Sequence, residues 1–248
     1  MEHSEDMEMK LKKYIRHPNQ GFTMVELLIA MVVALLFLGA IYSTFLNQHK
    51  SYVIQEETVV MNQNLRIALF YMQREIRMAG CDPTGSAGAA IITAGATSIN
   101  FTEDVIGNAP GSDSDGATDD PGENITYALD ANNNLVRTDP VNPPVVPPAP
   151  PVPQIVAQNI DAIDFVYLDG ASPPNVLNPG GINVPAGSID QIRSVEITIV
   201  ARTGWNTLAS KNNNAYFNQR GMQILAPQND NFSRRRLTAW IKCRNLGI

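Results

Sequence analysis

Two hydrophobic patterns divide the first third of the chain. Residues 22–46 are apolar almost without interruption, with Glu26 the single charge. A run of that length suffices for a membrane-crossing helix. A carboxylate within it costs free energy that grows toward the membrane centre. Beyond Asn47 the pattern turns periodic: Met61, Leu65, Ala68, Met72, Ile76 and Ala79 recur at steps of three and four, which is one helix face. No proline occurs between Pro18 and Pro83, and Gly80 followed by Pro83 is a stop signal. Glycine accepts the left-handed cap, and proline cannot continue the helix. The spacing predicts one helix over 22–79, about 87 Å long at about 1.5 Å per residue. Hydrocarbon accounts for about 30 Å of that. The stripe in its second half is then buried by the downstream domain, its apolar seam being too short for a coiled coil.

After Cys81 the pattern changes to short β-like runs between Gly, Pro, Asn and Asp, with candidate strands at 90–93, 98–102, 124–129, 134–138, 155–156, 162–168, 194–202 and 237–244. Residues 163–167 and the first half of 194–200 alternate apolar and polar, as strands with one covered face do. Asp130 to Asn134 reads as a hairpin loop. Residues 139–153 hold eight prolines and predict an extended surface connection without sheet hydrogen bonds. A second loop, 171–190, is rich in Pro, Gly and Asn and is expected to be exposed. The fold class is α+β: a long N-terminal helix, membrane-spanning over 22–46 and amphipathic over 47–80, packed against an antiparallel β-sheet head over 81–248.

Composition narrows the function. The chain of 248 residues has a formal net charge of −6, and the acids and bases of its first 21 residues balance. An acidic body argues against binding nucleic acid through phosphate neutralisation. The one basic cluster, Arg234-Arg235-Arg236, reads as a solvated strand flank. The bases between Lys10 and Arg16 hold the N-terminal end in the cytoplasm by the positive-inside rule. The polar surface after the apolar run lacks the small-residue site of an ordinary secretory signal. A polar leader ending in Gly21 can instead be cut before the helix, leaving the helix on the mature chain.

Little in the sequence suggests catalysis. The histidines are His3, His17 and His49, none in the β-rich body, which removes His-based triads and ordinary His metal sites there. No Gly-rich phosphate loop occurs. The acidic loop of Asp113, Asp115, Asp119, Asp120 and Glu123 fails the EF-hand spacing, with Ala117 fifth from Asp113; a solvated loop is the expectation, and calcium at 113–123 is the alternative the sequence leaves open. The expectation is no enzyme, no cofactor and no metal. Cys81 and Cys243 are the only cysteines. A disulfide between them would tie the C-terminal strand to the helix end, at about 4–5 kcal/mol in the chain-entropy model. The residues leave both that bond and two free thiols open.

The stretch Gly21-Phe22-Thr23-Met24-Val25-Glu26-Leu27-Leu28-Ile29-Ala30 resembles the class III signal of type IV pilins and type II secretion pseudopilins, with Gln20 standing where a basic residue often precedes the glycine. Residues 63–66, 74–83, 163–169 and 237–246 are similar to PilW-type minor pilins. The resemblance implies cleavage by prepilin peptidase between Gly21 and Phe22, methylation of the new Phe22 amine, and a role for Glu26 in assembly register. Physically, a charge in the membrane core is costly alone, so Glu26 paired with a neighbour's Phe22 amine would favour one packing register. The implied function is a minor pilin that primes or tips a type IV pilus, with twitching motility and cell adhesion as the associated processes. The alternatives are a type II secretion pseudopilin and a non-polymerising, membrane-anchored binding or adhesive domain. Implied partners are other minor pilins, the major pilin, prepilin peptidase and an inner-membrane assembly platform. The implied location is a single-pass inner-membrane protein with a periplasmic head, later in the pilus at the cell surface.

Overall fold

The computed structural model describes residues 21–107, 113–140 and 153–247. The leader before Gly21 and most of the proline-rich segment lie outside them. Helix α1 runs Met24–Met78, within the predicted range. The chain divides into two compact units, one ending at Tyr52 and the other beginning at Val53.

In the first unit every described residue is exposed. Its helical segment is long and apolar enough to cross a membrane. That exposure is costly in water, at about 25 cal/mol per Å² of apolar surface, and so requires a lipid or protein surround.

The second unit holds the rest of α1 and ten strands. Strands β1 (Ile91–Ala94), β2 (Ile99–Thr102), β3 (Asn124–Leu129), β4 (Leu135–Thr138) and β5 (Gln154–Ala157) form an antiparallel five-stranded sheet in that order. Strands β6 (Ile160–Leu168), β7 (Ser194–Arg202) and β10 (Arg234–Lys242) form an antiparallel three-stranded sheet with β7 central. Strands β8 (Tyr216–Phe217) and β9 (Gln223–Leu225) form a small hairpin. Among the described residues the head thus holds three sheets. The β3–β4 loop is the expected hairpin: Asp130 Oδ1 accepts the backbone N–H groups of Asn132 and Asn134, both at 2.8 Å.

The predicted helix stripe is the buried one. Met61, Leu65, Ala68, Met72, Ile76 and Ala79, joined by Leu69, share one core with Phe101, Ile125 and Leu135 of the first sheet and Phe165, Ile197 and Ile241 of the second. Each fully buried large aliphatic side chain contributes about 1.5–3 kcal/mol. The helix ends as its residues require. Gly80 sits at φ 76 and donates its N–H to Thr102 O at 2.9 Å. A Cβ there would also collide with Leu246 Cδ2.

Three expectations are corrected. Strands β6 and β7 are covered on both faces, because residues 216–222 lie over the polar one. Arg220 grips Glu196 at 2.6 and 2.9 Å, and Asn218 donates to Asp164 at 2.9 Å. Loop 171–190 is not wholly exposed: buried Asn178 accepts from Tyr167 N at 2.9 Å and donates to Phe165 O at 2.8 Å. Its side chain thereby satisfies the free edge of β6. Arg234, read as a solvated flank, lies within β10 with its side chain 2 % exposed, held by Asp161 and Asp230 at 2.5 Å each.

Candidate functional site

Gly21, Phe22 and Thr23 lie ahead of the first helical residue, in exposed non-helical backbone. Among the described residues, nothing lies within 4 Å of a Cβ built on Gly21. Thr23 is the helix N-cap. Its Oγ1 accepts the Glu26 N–H at 3.2 Å, while Glu26 Oε2 accepts from Thr23 N and Thr23 Oγ1, both at 3.4 Å. This is a reciprocal capping box, in which a threonine and a glutamate three positions on satisfy each other's orphan amides. The positive end of the helix dipole adds to the stability of a carboxylate in the first turn. Glu26 thus has a local capping role, which the expectation of pairing with a neighbour's Phe22 amine did not include. The Thr-x-x-Glu signature was legible, but hydropathy dominated that stretch.

Phe22 before the cap and Met24, Leu27, Leu28, Met31 and Leu35 past it are all exposed. Ser43 and Thr44 turn their hydroxyls inward on the backbone and donate to Ala40 O at 2.9 and 3.0 Å.

Within the second unit the helix is fixed to the sheets by polar contacts as well as by its apolar stripe. Glu75 accepts from Tyr127 Oη at 2.6 Å and from Arg137 Nε at 3.0 and 3.1 Å. Glu57 Oε2 accepts the N–H groups of Gly204 and Trp205 at 2.7 and 3.2 Å. Beside the Glu75 cluster lies a cleft of about 850 Å³ lined by Arg74, Glu75, Glu103, Arg137 and Arg244. Burial pushes the Glu103 carboxyl up to about 7, the nearby Glu75 adding to the effect and Arg137 opposing it.

The cysteines are free thiols in this structure, Cys81 partly buried and Cys243 buried. Burial pushes the Cys243 thiol up to about 12. In the acidic loop Asp113, Asp115 and Asp119 are exposed as expected, whereas Asp120 and Glu123 are buried.

Comparison with known proteins gives two findings. A family model described as the prokaryotic N-terminal methylation motif matches residues 16–42. Among solved structures, the chain is similar to a type IV-like pilin from Thermus thermophilus, at 13 % identity and a TM-score of 0.46, over 75 % of this chain and 98 % of that one. No curated protein sequence matches. The chain thus carries a prokaryotic N-terminal methylation motif that spans Gly21, Phe22 and the start of the exposed apolar helix.

Proposed function

We propose that the chain is a minor pilin of a type IV pilus, acting at initiation or at the fibre tip. In this reading prepilin peptidase cuts between Gly21 and Phe22 and the new amine is methylated. Residues 22–46 then hold the chain in the inner membrane, with the head in the periplasm, and later pack among neighbouring subunits. The methylation motif over residues 16–42 carries the reading. It is supported by the exposed, non-helical Gly21–Phe22 backbone and by the uncovered apolar face that follows. A monomer leaves that face without partners, and lipid or other helices of the same kind would cover it.

Glu26 then serves twice. It caps its own helix and offers its carboxylate to the Phe22 amine of an adjacent subunit. Substitution separates the two roles. Glu26→Gln keeps a side chain that can complete a capping box but removes the charge. Glu26→Ala removes both. Both variants should be processed normally yet poorly incorporated into fibres, and incorporation of Glu26→Gln at the wild-type level would reject the pairing role. Deletion of the gene should abolish surface pili; loss of enzyme secretion with pili intact would instead point to a type II secretion pseudopilin.

A further inference from the structure

We propose that Asp104, Asp115, Asp119 and Asp120 form a binding site for one calcium ion. Asp115, Asp119 and Asp120 each bring a carboxylate oxygen within 4.8 Å of the others. Asp104, from the segment after β2, is a separate observation. It is wholly buried, and its Oδ2 accepts from Gly116 N at 3.1 Å and from Thr84 Oγ1 at 3.4 Å. Those bonds turn its carboxylate onto the loop that carries Asp115. Gly116 makes the approach feasible: at φ 88 its missing Cβ leaves room for Ser86 Oγ.

Two oxygens of the cluster point to a missing partner. Among the described residues, Asp104 Oδ1 and Asp120 Oδ2 are buried without a hydrogen-bond partner. Neighbouring Glu123, equally buried, shows the ordinary solution: Oε1 accepts from Val105 N at 2.8 Å and Ile106 N at 3.0 Å, and Oε2 from Asp120 N at 3.3 Å. A buried carboxylate oxygen left unpaired is costly unless a cation compensates it.

The donors are all hard oxygens, which suit calcium or magnesium and not the metals that select imidazole or thiolate. Calcium fits better. It tolerates irregular, loop-borne carboxylate sets, whereas magnesium demands a near-ideal octahedron and keeps much of its water. Two buried carboxylates are preset here, and two exposed ones can close on the ion.

The test uses the full chain in detergent micelles, stripped of metal, titrated with calcium chloride by calorimetry and followed by thermal unfolding. One calcium should bind per chain. The unfolding midpoint should rise by about 5–10 °C at a calcium concentration about 100-fold above Kd, relative to EDTA. Asp104→Asn and Asp120→Asn should lose that rise while unfolding in EDTA no earlier than wild type, since each removes like-charge repulsion. Asp119→Asn, at an exposed position that does not endanger folding, should weaken calcium binding about tenfold or more. The proposal is overturned by an absence of calcium heat and midpoint shift in the wild-type chain. It is equally overturned by an equal shift with magnesium or matched sodium chloride, or by Asp119→Asn binding calcium as wild type does.

Discussion

Tyr127 donates its hydroxyl to Glu75 at 2.6 Å, joining the first sheet to the helix. The cross-strand partner of Tyr127 is Arg137, which binds the same carboxylate. Two adjacent strands thereby hold one helical position. Tyr127→Phe should cost about 1–2 kcal/mol, the value of a hydrogen bond to a charged group. Glu75→Ala should cost more, about 3 kcal/mol, because it leaves a largely buried guanidinium without its carboxylate. Chemical denaturation of the full chain in micelles checks both; a loss below about 0.5 kcal/mol for Glu75→Ala would show the clamp to be energetically idle.

Arg234 offers a sharper case. It bonds Asp161 and Asp230 at once, with its side chain almost fully enclosed. Removing one partner of a buried ion pair costs about 3–5 kcal/mol. Arg234→Ala should fall in that range, and Arg234→Lys should recover only part of it, since a single ammonium cannot reproduce the planar fork. Full recovery by lysine would contradict the geometric argument.

The helix and most strands were legible because their signals are periodic. The Met61 to Ala79 stripe needs only the helical repeat, and the buried face follows from it. Arg234 was not legible: a run of three arginines reads as solvated, and only the tertiary placement of Asp161, 73 residues away, encloses one of them. Strands β8 and β9 are two and three residues long, too short for any alternation to register. They nevertheless change the environment of β6 and β7, turning Asp164 and Glu196 from solvent-facing into buried groups. Asp104 escaped notice for a related reason, since it lies outside the acidic loop in sequence and meets it through tertiary contacts such as the Gly116 N–H.

Asp164 predicts a pH dependence. Burial raises its carboxyl, against the opposing hydrogen bond from Asn218. The folded state therefore holds this proton to higher pH than the unfolded chain. The stability contributed is fully present below the unfolded value, about 3.9, and is lost as pH rises through the folded value. Asp164→Asn removes the titration and can keep a hydrogen bond to Asn218. The stability difference between variant and wild type should widen in favour of the variant as pH rises from about 4. A difference that stays flat with pH would contradict the shift.

The two thiols should differ in reactivity. The Cys243 thiol is buried and pushed up to about 12, so it carries almost no thiolate near neutrality. Cys81 is also raised, by burial and then by Glu103, Asp104 and Asp82, but it is partly exposed. Iodoacetamide at pH 8 should label Cys81 slowly and Cys243 only on unfolding, as read by peptide mass spectrometry. Equal labelling of both in the folded chain would contradict the burial of Cys243.

At the Gly21–Phe22 boundary an exposed, non-helical peptide meets a capped, uncovered helix, and the proposed function depends on cleavage there. Mass spectrometry of the N-terminus of the chain isolated from its native membrane tests it directly. The account predicts a chain beginning at Phe22 and carrying one methyl group on its amine. A chain that retains Met1 to Gly21 would contradict it, and would leave the helix as an anchor for a domain that never polymerises.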